Sequence, residues 1–153
     1  MLRKEFIDAK RIVIKLGTNV LRNADGEVAI SRIYSFIEDM SKLVKQGKEV
    51  ILVTSGAVGL GKKKLNLDST AEDGVKQACA AVGQSRLMSF YENGFGIFDV
   101  PIAQILLTED DFSLRYRYLS LRTTLNKILE FGVVPIINQN DTVSTIAMNP
   151  MMA

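Results

Sequence analysis

Four apolar runs of the chain each end in polar residues, and these ends carry the residue types that can do chemistry. They read KLGT at 15–18, TSGA at 54–57, T at 108 and NQND at 138–141. The chain has no histidine, which excludes serine–histidine and cysteine–histidine hydrolases and most catalytic zinc sites. Lysine, hydroxyls, amides and carboxylates remain. Phosphoryl transfer suits that set, because it depends on positioning and charge neutralisation more than on proton shuttling.

Lys15 closes the first apolar run, RIVIK. A lysine in a buried strand is costly unless it meets an anion. An ion pair with a nearby carboxylate would be a structural explanation. We favour a functional one, in which Lys15 is the cation for a phosphate in transfer and Gly17 lets the backbone approach closely.

The stretch SGAVGLGKK at 55–63 resembles a phosphate-binding P-loop, but Lys63 stands where that loop needs a magnesium-binding hydroxyl. The glycine spacing also differs from the dinucleotide fingerprint G-x-G-x-x-G. A strand that delivers Ser55 and Gly56 to a helix N-terminus would still offer free amides and a hydroxyl to an anion. The alternative is that Ser55 caps the helix and the glycines serve close packing.

The end of the fourth run, INQND, offers amides and a carboxylate. Asn138, Asn140 and Asp141 could hold the ammonium and carboxylate groups of an amino acid. An Asx-rich turn after a strand is an equally good interpretation.

The elements that must position these residues follow from apolar patterns. The runs at 11–17, 49–55, 100–108 and 133–141 predict strands buried on both faces, as in a parallel sheet. Helical patterns lie between them: one from Ile30, with Ser31 as its cap, to Gly47, a second from 72 to about 91, and a third from 110 to 131 closing at Gly132. This alternation predicts an α/β fold with helices on both sheet faces and ligands beyond the strand ends.

The composition further restricts the class of protein. The chain has 153 residues, 47% of them hydrophobic and 24% charged, enough for one domain with a core. A net charge of +2 is too weak to indicate nucleic acid, and the basic RYRYLSLR at 115–122 is better explained as a solvated face over an apolar stripe. Cys79 is expected to be buried on a helix. No run predicts a signal peptide or a membrane span, so we expect a cytoplasmic protein.

Six ordered blocks between about 11 and 145 resemble the amino-acid kinase family, and more narrowly its glutamate-phosphorylating branch. They are VIKLGTNVL, VILVTSGAVGLGKKKL, AAVGQSRLM, ILLTEDDF, YLSLRTTL and VVPIINQNDTVST. The resemblance implies a three-layer αβα sandwich with a mainly parallel sheet. It also implies transfer of the ATP γ-phosphoryl group, with Mg²⁺, to the side-chain carboxylate of L-glutamate in proline biosynthesis.

The same resemblance implies roles on the phosphate side of the site. Lys15 would stabilise the transferring phosphoryl group, and Gly17 and Thr18 would line the phosphate path.

On the substrate side, Ser55, Gly56 and Ala57 would meet the reacting end of glutamate. Asn138 and Asp141 would hold its α-amino and α-carboxylate end. Because the acceptor is already an oxyanion, no general base is needed.

Two departures from the family pattern matter. Gln139 stands where the family usually has glutamate, and we expect its side chain to point away from substrate. The chain is also expected to be the substrate-binding half alone, without the nucleotide-binding half or a PUA domain, with an atypical tail at 146–153. An open sheet edge would then favour a homo-oligomer.

Alternatives remain open at this point. One is another amino-acid kinase, acting on acetylglutamate, aspartate or carbamate. Another is a non-catalytic module that binds an amino acid without turnover. A nucleic-acid partner is not expected.

Overall fold

A computed structural model describes residues 8–23, 27–72 and 74–143. The atypical tail at 146–153 lies outside the described residues. In chain order the elements are β1 (Arg11–Lys15), α1 (Thr18–Leu21), α2 (Ile30–Lys45), β2 (Glu49–Val53), α3 (Ala57–Lys64), α4 (Val75–Gly96), β3 (Ile102–Leu107), α5 (Asp110–Ser113), α6 (Arg115–Glu130) and β4 (Val134–Gln139). No helix in these ranges is long and apolar enough to cross a membrane.

The four strands form one parallel sheet in the order β1–β2–β4–β3. Paired residues of parallel strands point to the same face, so the register Ile14–Leu52–Ile136 defines one face, here called the core face. Buried side chains of α2 and α4, such as Ile37 and Tyr91, join this face in the main hydrophobic cluster. All four strand ends therefore lie at one edge, as the sequence predicted.

The opposite face of the sheet, here called the second face, carries α6. Arg11 on β1 donates a hydrogen bond to Asn126 of α6 at 3.3 Å, and Leu129 near the end of α6 is buried. Helices on both faces of a parallel sheet confirm the predicted α/β sandwich.

β1 differs from the prediction that every strand is buried on both faces. Its residues alternate between exposed and half-buried, and Val13 is 62% exposed. The reason is position, because β1 is an end strand of the sheet and α6 packs mainly against β4. An edge strand with one open face alternates as an antiparallel strand would.

The third predicted helix is interrupted. Leu114 adopts an extended conformation (φ −90°, ψ 113°) and separates α5 from α6. Arg117 and Asp111 form an ion pair of 3.0 Å across the break. The predicted apolar stripe is buried only toward its end: Tyr118 is 45% exposed, while Leu129 is 6% exposed.

The helix ends agree with the sequence at two glycines and disagree at one serine. Gly47 and Gly132 have positive φ and follow α2 and α6 in the paired hydrogen-bond pattern of a Schellman motif. Ser31 does not cap α2, because Ala29 is the N-cap residue and makes no side-chain bond.

Close approach of another segment is visible at two glycines after β2, against backbone at one and against a flexible side chain at the other. A Cβ atom at Gly61 would overlap the carbonyl oxygen of Cys79, and one at Gly59 would overlap the guanidinium of Arg22. From the other side, a Cβ at Gly83 of α4 would overlap the carbonyl oxygen of Ala57. The backbones of α3 and α4 are therefore in direct contact, and Cys79 is fully buried on α4, as predicted.

Candidate active site

A cavity of about 470 Å³ lies at the carboxyl ends of the strands, and all four strands line it. β1 contributes Lys15, β2 the segment 53–56, β3 the segment 107–109, and β4 residues 137–139 followed by Asp141. Its size falls in the range of small-molecule sites in proteins. The structure thus brings five of the eight predicted site residues around one space: Lys15, Ser55, Gly56, Asn138 and Asp141.

Lys15 reaches the cavity from the exposed side of β1. The premise that this lysine is buried is wrong, since it lies on the open second face. The alternative of a structural ion pair also fails, because no carboxylate among the described residues pairs with it. Within the described ranges, Lys15 is thus a cation at the cavity without a carboxylate partner.

Ser55 and Gly56 form the turn between β2 and α3. Gly56, and not Ser55, is the N-cap residue of α3, with φ +92°, a conformation that glycine adopts without strain. The Ser55 hydroxyl instead donates to the carbonyl oxygen of Leu16 at 3.3 Å and lies 3.1 Å from the hydroxyl of Thr18. These contacts tie the turn after β2 to the loop after β1.

The remaining predicted residues of these two loops lie beside the cavity and do not line it. Gly17 is the N-cap residue of α1, and its carbonyl accepts from the amide of Val20 at 2.9 Å. The hydroxyl of Thr18 contacts that of Ser55. Ala57 is the first residue of α3 and is buried. The amides at 57–59 open α3 and have no partner within the helix, as at every helix N-terminus.

Asn138 is 6% exposed and is held on two sides. Its amide nitrogen donates to Oε1 of Gln84 at 2.8 Å, and its oxygen accepts from the backbone N–H of Gln139 at 2.9 Å. Sequence reasoning did not single out Gln84 as the partner of Asn138, although it lies in the AAVGQSRLM block. The signal was a glutamine within an otherwise apolar, small-residue helix pattern.

The expectation that Gln139 points away from the site is wrong. Gln139 is exposed at the end of β4 and is among the residues that line the cavity. Strand alternation explains this, because residue 139 shares the second face with Ile137 and with Lys15 of β1.

The rim opposite Ser55 is formed by the start of α5. The carboxylate of Asp111 accepts from the backbone N–H of Thr108 at 2.6 Å and from its hydroxyl at 2.9 Å. These bonds, with the charge of Arg117 as a smaller contribution, lower the pKa of Asp111 below its usual value. The turn fixes Glu109 and Phe112 at the cavity, two residues that the sequence did not single out.

A buried hydrogen bond anchors the end of β2 from below. The hydroxyls of Thr54 and Tyr91 are 2.7 Å apart, and burial raises the pKa of Tyr91 to about 12. The turn that carries Ser55 is therefore attached both to β1 and to α4.

The donor set suits an anion more than a metal ion. Amides, hydroxyls and one ammonium group converge on the cavity, with Glu109 and Asp141 as its carboxylates. No cluster of three or more potential ligands able to hold a metal occurs within 8–23, 27–72 and 74–143. Mg²⁺ is commonly bound through substrate phosphates and one or two carboxylates, an arrangement with which these residues are compatible.

The matches to known proteins agree with one another. The sequence profile of the amino acid kinase family covers residues 10–147. Glutamate 5-kinase of Desulfotalea psychrophila is 49% identical over 146 residues, which is 94% of this chain and 39% of the relative. Glutamate 5-kinase of Geobacter metallireducens is 47% identical over 135 residues (88% and 36%), and that of Myxococcus xanthus 47% over 137 residues (89% and 36%). The chain thus spans less than two fifths of these relatives, and it belongs to the amino acid kinase family.

Proposed function

We propose that this chain provides the substrate-binding part of a glutamate 5-kinase, which phosphorylates the side-chain carboxylate of L-glutamate with ATP to give glutamyl 5-phosphate. One observation carries the proposal: a single cavity joins Lys15, which no described carboxylate pairs, and a glycine turn to a buried amide and a carboxylate. The names of the relatives support the choice of glutamate.

The main barrier to this reaction is repulsion between two anions, the acceptor carboxylate and the phosphate chain. Lys15 would neutralise the phosphoryl group in transfer, and Gly56 with the first amides of α3 would receive the negative charge of the reacting groups. Ser55 would contribute its hydroxyl at the same place. The work of these residues is positioning and charge neutralisation, as phosphoryl transfer requires.

The other end of the amino acid would meet β4. Asp141 can accept hydrogen bonds from an ammonium group, and the amide of Asn138 can donate to a carboxylate. Both line the cavity. A ligand with both groups on one carbon would therefore be oriented with its side chain directed toward Lys15 and the turn at Ser55.

ATP would approach along Gly17 and Thr18, and Mg²⁺ would supply charge neutralisation on its phosphates when bound. We further propose a cytoplasmic location, where ATP and glutamate are available. Homo-oligomer formation stays a proposal, supported by the position of β1 and β3 at the two ends of the described sheet. Light scattering of the purified chain would measure it, and a monomer at all concentrations would contradict it.

A chimera tests the function directly. This chain would replace the matching 146-residue segment of Desulfotalea psychrophila glutamate 5-kinase, and ADP release would be measured with glutamate, acetylglutamate, aspartate and carbamate. We expect turnover with glutamate. Turnover with another acceptor but not with glutamate would refute the proposal and favour a different amino-acid kinase.

The isolated chain separates catalysis from binding. Because it spans less than two fifths of its relatives, we expect it to bind glutamate in calorimetry but to show little ADP release with ATP and Mg²⁺. If the chimera also bound glutamate without turnover, a non-catalytic amino-acid-binding module would be the better description. Robust turnover by the isolated chain would contradict the proposal that this chain binds the substrate but does not catalyse the reaction alone.

A further inference from the structure

Three side-chain amides form a continuous chain of hydrogen bonds beneath the cavity, here called the amide relay. Gln104 on β3 accepts from Nε2 of Gln84 at 3.0 Å, and Gln84 accepts from Nδ2 of Asn138 at 2.8 Å. Asn138 in turn accepts from the backbone N–H of Gln139 at 2.9 Å. Gln84 and Asn138 are 9% and 6% exposed, whereas Gln104 is exposed.

The backbone N–H at one end sets the direction of the whole relay. This group can only donate, so Asn138 must present its oxygen there and its NH₂ toward Gln84. Gln84 must then present its oxygen to Asn138 and its NH₂ to Gln104. Each amide thus has one orientation that satisfies its neighbours.

The N–H of Gln139 needs a side-chain partner because of its place in the sheet. Alternate residues of a parallel strand bond to opposite neighbours, and the carbonyl of Ile137 accepts from Thr54 on the β2 side. Gln139 therefore faces the same side, but β2 ends at Val53. The oxygen of Asn138 takes the place of the missing strand.

We propose that Gln84 is a positioning residue for the amino-acid substrate, acting through Asn138. An Asn amide has two N–H groups, and Gln84 accepts one of them. Because Asn138 lines the cavity and the relay fixes its amide, we assign the second N–H as a donor to a ligand there. A donor fixed at this point favours ligands that place an acceptor there, such as the α-carboxylate of an amino acid. The choice of ligand rests on the proposed function, whereas the relay itself does not.

The two ends of the relay differ in their access to water. Gln84 and Gln104 line an open groove of about 660 Å³ between α4 and β3, away from the cavity. If Gln104 is lost, water in this groove can accept from Gln84. If Gln84 is lost, the buried Asn138 has no replacement partner, and an unsatisfied buried group is costly. We therefore expect graded effects along the relay.

The first experiment uses nuclear magnetic resonance of the 153-residue chain without ligand. We expect one Asn138 side-chain proton to exchange slowly with solvent in the original chain and faster in Gln84→Met. Gln84→Glu keeps an acceptor for Asn138, and exposed Gln104 can flip to donate to it, so protection should return. Unchanged exchange in Gln84→Met would overturn the relay irrespective of function.

The second experiment measures glutamate affinity by calorimetry and the Michaelis constant in the chimera. Gln84→Met should weaken glutamate binding about tenfold and raise KM with kcat nearly unchanged. Gln104→Met should weaken binding about twofold, and Gln84→Glu should weaken it less than Gln84→Met does. Gln46→Met, at the exposed end of α2, is the matched control and should change nothing. If Gln84→Met does not fold, Gln84→Asn, too short to reach Asn138, should show the same weakening.

The outcomes separate the two ideas. Faster exchange of the Asn138 amide with unchanged glutamate affinity would overturn the positioning role and leave the relay as a structural feature. Protected Asn138 in a chain that binds no glutamate would instead overturn the proposed function, and with it the assignment of the ligand.

Discussion

The buried hydrogen bond between Thr54 and Tyr91 gives the sharpest test of how the site is supported. Tyr91 is fully buried and Thr54 is 5% exposed, and their hydroxyls are 2.7 Å apart. Tyr91→Phe removes the bond and leaves the Thr54 hydroxyl buried without this partner. We expect the free energy of unfolding to fall by about 1–2 kcal/mol. Thr54→Val should have a similar effect, because it leaves the Tyr91 hydroxyl unpaired.

The double variant carries the decisive information. Replacing both partners by apolar groups leaves no orphaned hydroxyl, so the double change should cost about as much as either single change and not their sum. Urea unfolding of the 153-residue chain measures all three, with Tyr116→Phe, at a 71% exposed tyrosine, as the control expected to stay within about 0.5 kcal/mol. Additive single effects would refute the reasoning, since they would mean that the two hydroxyls do not depend on each other.

Three further predictions follow from the packing and the site. Gly61→Ala should lower the free energy of unfolding by about 1–3 kcal/mol, because the new Cβ overlaps the backbone of α4 and this cost exceeds the gain of about 1 kcal/mol in helix propensity. Gly96→Ala is the control, since nothing lies within 4 Å of a Cβ atom there. Equal melting temperatures of the two variants would count against the contact. In the chimera, Ser55→Ala should raise KM for glutamate severalfold. Lys63→Ala should leave KM unchanged, because it removes only an ion pair with Glu27 outside the cavity. The reverse outcome would favour a P-loop. Burial raises the pKa of Tyr91 from 10.0 to about 12 in the folded chain, so the contribution of its neutral hydroxyl to stability is intact below pH 10 and lost by pH 12. Between these pH values the free energy of unfolding should fall by about 2–3 kcal/mol more than it does in Tyr91→Phe. Parallel pH dependences of the two free energies would contradict this prediction.

Strand positions could be predicted from the sequence because each strand is a short apolar run. The four runs contain β1 to β4, and their polar ends meet at one cavity because parallel strands share a carboxyl edge. The two helix-ending glycines, Gly47 and Gly132, were also readable, since a positive φ after a helix favours glycine.

The exposure of the side chains of β1 could not be predicted from its apolar sequence. RIVIK looks buried as a string, but whether a strand is central or terminal depends on the sheet order, which composition does not contain. Lys15 was therefore chosen as a site residue for a reason that the structure removes, although it does line the cavity.

Contacts between segments that are distant in the chain could likewise not be predicted from the sequence. The spacing of Gly59 and Gly61 suggested a ligand loop, while the structure shows that their missing side chains make room for Arg22 and for α4. The contact between Gln84 and Asn138 joins residues that are far apart in the chain. A periodicity argument, which considers one element at a time, does not include such partners.

The direct contact between α3 and α4 has a consequence for how the protein opens. Helices whose backbones touch through Gly61 and Gly83 cannot separate gradually, because there is no side-chain layer to yield between them. We expect the amides at 60–64 and 80–84 to exchange in one cooperative unit with the same opening free energy. Native-state hydrogen exchange would measure it, and clearly different opening energies for the two segments would contradict it. Because the turn at Ser55 leads directly into α3, we expect it to keep its conformation until the whole unit opens.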